Sequence, residues 1–342
     1  MNAAPPDTPD ALAAACLQGS RRAASRLISQ LEAPEPDTAR KASRAVARLP
    51  LPPHTIGLTG PPGAGKSTLL DYLIALFRER GRRVGVVAVD PSSPFTGGAL
   101  LGDRIRMGSH RNDSGVFIRS MGNRGASGGL ASAASDALRV LGGAGFDVVL
   151  LETVGAGQAE VAVVDLADTV CVVQVPGLGD DVQLMKMGIL EIADLFVVNK
   201  GDRPEAESLK IQLEQAVHDA PGETCRALRQ LGPAFARAFQ GPHWRPAVVL
   251  LSALQRTGGA ELMEALDRHR AYRSQPELAG ALQRGRLARE ILWRATRRLG
   301  DELAARLARG GDLAPLVDAC AAGSLDVEGA VDRVVKTPGK PV

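Results

Sequence analysis

The chain is poor in aromatic residues: Phe, Trp and Tyr together make up only 3% of its 342 residues. So few rings argue against the stacking platforms on which single-stranded nucleic acid is held. Cysteine is also scarce. Cys16, Cys171, Cys225 and Cys320 lie far apart, with no Cys-x-x-Cys spacing and no neighbouring His cluster. That pattern argues against a disulfide framework or a zinc site and suits a reducing compartment. No apolar run reaches the ~18 residues of a membrane-spanning helix. The opening MNAAPPDTPDALAAAC carries no basic region ahead of an apolar stretch. A soluble, cytoplasmic protein without a membrane partner is expected. Charge of one sign is missing too: 41 Lys+Arg against 38 Asp+Glu leaves a net charge of only +3. Within the basic residues lysine is rare, seven of the 41, so each lysine is worth locating.

Against these absences stands an apolar content of 45%, enough for a sizeable core. Residues 1–10 read as a disordered lead. Residues 11–50 read as an N-terminal helical extension, closed by the Pro-rich joint LPLPP at 49–53. From there to about 265 short apolar runs of strand length alternate with helical or Gly-rich segments. TIGLTG, RRVGVVAVD, VFIRSM, FDVVLLETVG, TVCVVQVPG, ADLFVVNKGD and PAVVLLSAL are those runs. Strands apolar on both faces and alternating with helices predict an α/β fold, a mostly parallel sheet flanked by helices. Residues 266–342 return to helix. Ala288, Leu292, Ala295, Leu299, Leu303 and Leu307 recur at steps of three or four and predict one apolar stripe.

The first motif with chemistry is Gly60-Pro61-Pro62-Gly63-Ala64-Gly65-Lys66-Ser67-Thr68. It fits G-x-x-x-x-G-K-[ST] between a strand and a helix, the context of a phosphate-binding loop. Its glycines let backbone N–H groups wrap phosphate oxygens at a helix N-terminus. Lys66 is expected to reach the β- and γ-phosphates, and Ser67 to offer its hydroxyl to Mg²⁺.

Asn199-Lys200-Gly201-Asp202 follows the apolar strand DLFVV, where guanine-binding P-loop proteins read the base. The Asp202 carboxylate can accept from N1–H and N2–H₂ of guanine together, an arrangement adenine cannot supply. Asn199 is expected to brace the loop and the Lys200 stem to cover the base. Ser252-Ala253, after VVLL, match the further strand-end loop that helps seat guanine. GTP is therefore expected over ATP.

Two acids end strands beside the phosphate loop. Asp90 opens DPSSPFTGG and Glu152 opens Glu152-Thr-Val-Gly155; both, with Asp103 in LLGDRIRM, are candidate Mg²⁺ ligands. Glu152 stands where an ordinary Ras-type GTPase has Asp. The Gly155 N–H is placed to meet the γ-phosphate and to release its segment on hydrolysis. Gln158 lies three residues past Gly155, with Ala156 in the adjacent position. Two readings of Gln158 stand: a loop hydrogen bond, or orientation of the catalytic water.

The stretches GLTGPPGAGKSTLLDYL, VAVDPSSPFTGGALLGDRIRM, ETVGAGQAEV, PGLGDDVQLMKMGILEIADLFVVNKGD and LLSAL resemble the MeaB/ArgK-type GTPases. These are the methylmalonyl-CoA mutase-associated G proteins, of the P-loop branch that also holds metallochaperones. The resemblance spans roughly residues 11–330. It implies a homodimeric GTPase that gates cofactor loading of an adenosylcobalamin-dependent acyl-CoA mutase and protects or reactivates it. It carries Lys66, Ser67, Asp90, Asp103 and Glu152 into Mg-GTP handling, and Asn199, Lys200 and Asp202 into guanine binding. Gly177–Glu191 resembles a partner-sensing switch, with Asp180 and Lys186 its notable polar members; read from the residues alone, the plainer reading is a polar turn with Lys186 a solvated helix charge. The C-terminal helices become a dimerisation arm. Gly201 departs from the family's Ala.

Three other functions meet obstacles in the sequence. A nickel-insertion metallochaperone GTPase needs a Cys/His cluster, whereas His54, His110, His218, His243 and His269 are scattered. An ATP-using kinase or transport-associated ATPase conflicts with the Asn-Lys-Gly-Asp motif. Nucleic-acid binding could use the eleven arginines between Arg268 and Arg309. Long Arg stems beside an apolar stripe favour a subunit contact instead, and no nucleic-acid partner is expected.

Overall fold

The computed structural model describes residues 7–33, 35–90, 110, 112–122, 129–153, 163–177, 189–220, 226–231, 239, 241, 243–310 and 313–336. All seven expected strands are present: β1 (His54–Thr59), β2 (Val84–Asp90), β3 (Val116–Gly122), β4 (Val148–Thr153), β5 (Thr169–Gln174), β6 (Leu195–Val198) and β7 (Ala247–Leu250). They form one sheet in the order β3-β2-β4-β1-β5-β6-β7, with every neighbouring pair parallel.

The helices described are α1 (Pro9–Leu17), α2 (Arg21–Leu31), α3 (Pro36–Val46), α4 (Lys66–Glu79), α5 (Gly129–Gly143), α6 (Ile189–Ile192), α7 (Ala206–Asp219), α8 (Arg226–Gln230), α9 (Gly259–Arg273), α10 (Pro276–Gly310), α11 (Leu313–Ala321) and α12 (Val327–Lys336). Alternate residues of one strand feed opposite faces, as the period of two requires. Val148 and Leu150 join Leu69, Leu73 and Phe77 of α4 and Leu262 and Leu266 of α9. Their neighbours Val149 and Leu151 join Leu138 and Leu141 of α5. Farther along the sheet Val170, Val172 and Phe196 meet Leu209 and Leu213 of α7. Both faces are covered, which is why the strands read as continuous apolar runs.

The N-terminal helices belong to this core. Leu12, Cys16, Leu27, Ile28 and Val46 are fully buried in the cluster that holds α5, Phe117 and Phe146. The disordered lead expected over 1–10 ends earlier. Thr8 occupies the N-cap position of α1 without a side-chain capping bond, and Pro9 lies in the first turn. Asp7 pairs with Arg26 at 2.8 Å and its carbonyl accepts from Gln30 Nε2 at 2.8 Å. Pro tolerates the first helical position, where its missing N–H leaves no bond unmade. Residues 1–6 lie outside the described set.

The compact first unit runs to Gly285 rather than stopping at 265. Helix α9 buries Leu262, Met263, Leu266, His269 and Tyr272, and Leu278 and Leu282 close over Leu228 and Phe239. The second unit spans Arg286–Val342 and holds Leu292 and Leu299 of the expected stripe on α10. Leu292 and Leu299 are 69% and 67% exposed on this chain, beside the i,i+4 pairs Arg294–Glu290 and Arg298–Glu302.

At the N-terminal edge of the sheet lies a buried polar chain that no sequence motif announced. His54 Nε2 lies 2.8 Å from Thr169 Oγ1, which lies 2.8 Å from His269 Nδ1. His269 Nε2 faces Asp194 Oδ1 at 3.3 Å. Because the carboxylate only accepts, the His269 hydrogen belongs on Nε2 and Thr169 donates to Nδ1. Arg226 Nε donates to Asp194 Oδ2 at 2.8 Å, and its two other nitrogens donate to the carbonyls of Val164, Ala167 and Asp168. Burial raises the Asp194 carboxyl, but Arg226 and His269 outweigh it and hold the group well below the ordinary carboxylate range.

Burial pushes His54 down from 6.5 to about 4 and lowers His269 as well. A depressed folded value means that the unfolded chain takes up a proton the native one refuses. Stability present above pH 6.5 is thus lost as pH falls towards 4. Urea midpoints measured across that window should fall with pH, and His54→Gln should flatten the slope.

Candidate nucleotide-binding site

Those predicted site residues that are described gather at the opposite edge, outside the carboxyl ends of the strands, where ligands bind in open α/β sheets. The loop after β1 turns on Gly60, Gly63 and Gly65, all at positive φ. Gly65 shows why glycine is needed there. At φ +82 a side chain would be strained, and a Cβ would sit 2.6 Å from Asn199 Nδ2. Lys66, the first residue of α4, is 8% exposed. Its Nζ donates to the Gly60 carbonyl at 2.7 Å and the Pro61 carbonyl at 3.2 Å. The ammonium is therefore drawn back over the loop, where backbone N–H groups and the helix N-terminus favour an anion. Pro62 and Ala64 complete the turn, and Thr68 follows Ser67 on the exposed side of α4.

Ser67 Oγ donates to Glu152 Oε1 at 2.7 Å. Glu152 is the penultimate residue of β4 and is 1% exposed. Register places it beside Leu58 of β1 and Ala88 of β2, so strand ends bring it to the phosphate loop. A hydroxyl and a carboxylate together are the hard, all-oxygen donor set that Mg²⁺ accepts. Asp90 closes β2, its backbone in register with Gly122. Asp103, Gly155, Gln158, Asp180 and Lys186 lie outside the described residues.

Asn199 ties three loops together. Its Nδ2 donates to the Ala64 carbonyl at 2.9 Å, while its Oδ1 accepts from Lys200 N at 2.8 Å and Ala253 N at 3.1 Å. Lys200 sits at φ 58 and its Nζ donates to the Gly63 carbonyl at 3.0 Å. Its stem thus spans from the base-reading loop to the phosphate loop. Gly201 N donates to the Leu251 carbonyl at 2.8 Å, and a Cβ there would stand 2.9 Å from the same oxygen. That close approach leaves little room for a side chain at Gly201.

Asp202 is exposed, and Ser252 Oγ donates to its Oδ1 at 2.7 Å. That bond, then the backbone N–H of Asp202 and the cations Arg203 and Lys200, lowers the carboxyl below its ordinary range. It is ionised at neutral pH and presents acceptors only, the partner that N1–H and N2–H₂ of guanine require.

A family model described as methylmalonyl Co-A mutase-associated GTPase MeaB matches residues 24–309. The chain belongs to the MeaB family. Within it, a protein of Pyrococcus abyssi named as a GTPase is 43% identical over 319 residues, 93% of each chain. The GTPase ArgK of Escherichia coli is 36% identical over 241 residues, 70% of this chain and 67% of that one. A solved structure described as a LAO/AO transport system kinase covers 98% of this chain and 99% of its own, at a TM-score of 0.65 and 22% identity. That likeness bears on the fold alone. As a MeaB-family member the chain is a P-loop GTPase that binds guanine nucleotide.

One feature of the base site escapes motif reading. The Ser252–Thr257 turn is closed by paired backbone bonds, Ser252 N to Thr257 O at 3.3 Å and the reverse at 3.1 Å. Tyr72 of α4 donates to its Arg256 carbonyl at 2.8 Å. A lone tyrosine on the apolar face of a helix reads as core, and nothing in the sequence marks its hydroxyl.

Proposed function

We propose that this GTPase is a chaperone that couples GTP hydrolysis to cofactor loading, protection or reactivation of an adenosylcobalamin-dependent acyl-CoA mutase, methylmalonyl-CoA mutase before others. The observation that carries the reading is membership of a mutase-associated GTPase family over residues 24–309, on a chain with the phosphate loop and the guanine-reading loop in place. Lys66 neutralises the β- and γ-phosphates, the loop backbone cradles them, and Asp202 with Ser252 selects guanine. Ser67 and Glu152, with Asp90 and Asp103, would hold Mg²⁺, which would supply neutralisation of phosphate charge when bound. Gly155 would sense hydrolysis, Gln158 would either orient the water or make a loop hydrogen bond, and Asp180 and Lys186 would belong to the partner-sensing switch.

The exposed Leu292 and Leu299 support a second copy packing on the C-terminal arm, which begins at Arg286, in a homodimer. A cytoplasmic setting accords with the free thiols of Cys16 and Cys171. Among the described residues no helix is long and apolar enough to cross a membrane.

The test is GTP turnover with and without purified cobalamin-dependent mutases. Addition of the cognate mutase is expected to raise turnover about tenfold or more, because a partner that completes a switch supplies missing transition-state contacts. No stimulation by any of them would overturn the chaperone reading.

A further inference from the structure

Among the described residues only Lys200, at φ 58, and Arg256, at φ 55, are non-glycine residues with positive φ. Left-handed backbone is unfavourable for L-residues and persists where surrounding contacts impose it, often beside functional sites. The two residues stand in the two loops that meet at Asp202. Lys200 is in the base-reading motif itself. Arg256 is in the turn whose first residue, Ser252, donates to Asp202 Oδ1 at 2.7 Å.

Helix α4 contacts the Arg256 turn at two points. The Tyr72 hydroxyl donates to the Arg256 carbonyl at 2.8 Å, with the ring 7% exposed in the core between α4 and α9. The preceding residue, Asp71, holds the Arg256 guanidinium, its Oδ2 lying 3.5 Å from the nearer nitrogen. Asp71 Oδ1 lies 3.2 Å from His110 Nε2. Inside the turn, Gln255 N donates to Ser252 Oγ at 3.3 Å, so the hydroxyl that orients Asp202 is itself held by the turn. Tyr72 lies six residues beyond Lys66 on one continuous helix, about 9 Å along a rigid axis.

We propose that the Tyr72 hydroxyl is a positioning group for base recognition. By holding the Arg256 carbonyl it keeps the left-handed turn, and with it Ser252, in register with Asp202. One helix then sets the phosphate subsite at its first residue and the base subsite through its second turn. The proposal rests on the reading of Asp202 as the guanine-selecting residue.

Tyr72→Phe removes the hydroxyl and keeps the ring in its packing. The measurement is binding of GDP and IDP to the full chain, with GTP turnover at saturation; inosine lacks the N2 amino group that Asp202 would read. Loss of one positioning bond is expected to weaken GDP about tenfold. IDP should weaken only about twofold, so that the GDP:IDP preference shrinks about fivefold. Turnover at saturating GTP should stay within about twofold, since the phosphate contacts are untouched. Equal weakening of both nucleotides would show a merely structural role and overturn the proposal, as would no change in either. Asp202→Asn is measured alongside. If it alters base preference while Tyr72→Phe does not, the positioning role fails and the base reading stands. If Asp202→Asn leaves base preference intact, the base reading itself fails and the proposal falls with it.

Discussion

Asp202→Asn is expected to move nucleotide preference from guanine to xanthine, with the ratio of GTP to XTP use falling about 1,000-fold. The reason lies in the polarity of two hydrogen bonds. The ionised Asp202 carboxylate offers two acceptors to N1–H and N2–H₂ of guanine. An asparagine presents one acceptor and one donor, so its NH₂ faces a guanine donor and both are left unpaired. Xanthine has a carbonyl at position 2, which accepts from that NH₂. Ser252 donates to Asp202 Oδ1 at 2.7 Å, and an amide oxygen can accept the same bond, so the side chain keeps its orientation. Competition assays with GTP, XTP and ATP read the outcome. Unchanged GTP:XTP selectivity would remove Asp202 from base recognition.

The second large effect lies at the other edge of the sheet. Arg226→Met is expected to destabilise the protein by about 3–5 kcal/mol, because it strands the Asp194 carboxylate without its cation. Arg226 is 3% exposed and Asp194 0%, so water cannot replace the guanidinium. The same side chain satisfies the carbonyls of Val164, Ala167 and Asp168, which end the segment leading into β5. For a compact unit of this size the loss corresponds to a melting temperature lower by about 5–8 °C. The double variant Arg226→Met with Asp194→Asn should recover part of the loss. It removes the buried charge, while an amide oxygen can still accept from Val170 N, as Asp194 Oδ2 does at 2.9 Å. A single-variant cost under about 1 kcal/mol would mean that the pair is solvated or dispensable.

Much of the nucleotide site is legible in the chain because its parts are contiguous. A phosphate loop needs glycines, a lysine and a hydroxyl within nine residues, and a strand and a helix around them. The residue order sets that geometry, since backbone N–H groups do the binding. The same holds for Asn199–Asp202 at a strand end. The seven strands were equally readable, because a sheet covered on both faces writes itself as short apolar runs between turn signals.

Contacts between distant side chains are not written that way. Asn199 reaches Ala64 and Ala253, Tyr72 reaches Arg256, and Asp194 gathers Arg226, His269 and Val170. Each of these depends on strand order and helix packing, and each residue alone reads as an ordinary core or loop position. The N-terminal helices likewise show their amphipathic stripes in sequence, but only packing against α5 and Phe146 makes them part of the core. The scarce lysines illustrate the division. Lys66 and Lys200 could be placed in the nucleotide motifs from order alone, where a compact ammonium suits phosphate or base better than a planar fork. That both ammonium groups close onto carbonyls of the phosphate loop, at Gly60 and Gly63, was decided by the fold. Short-range chemistry is set by residue order and backbone geometry, whereas the bonds that hold the base loop to α4 exist only once the sheet has brought its strand ends together.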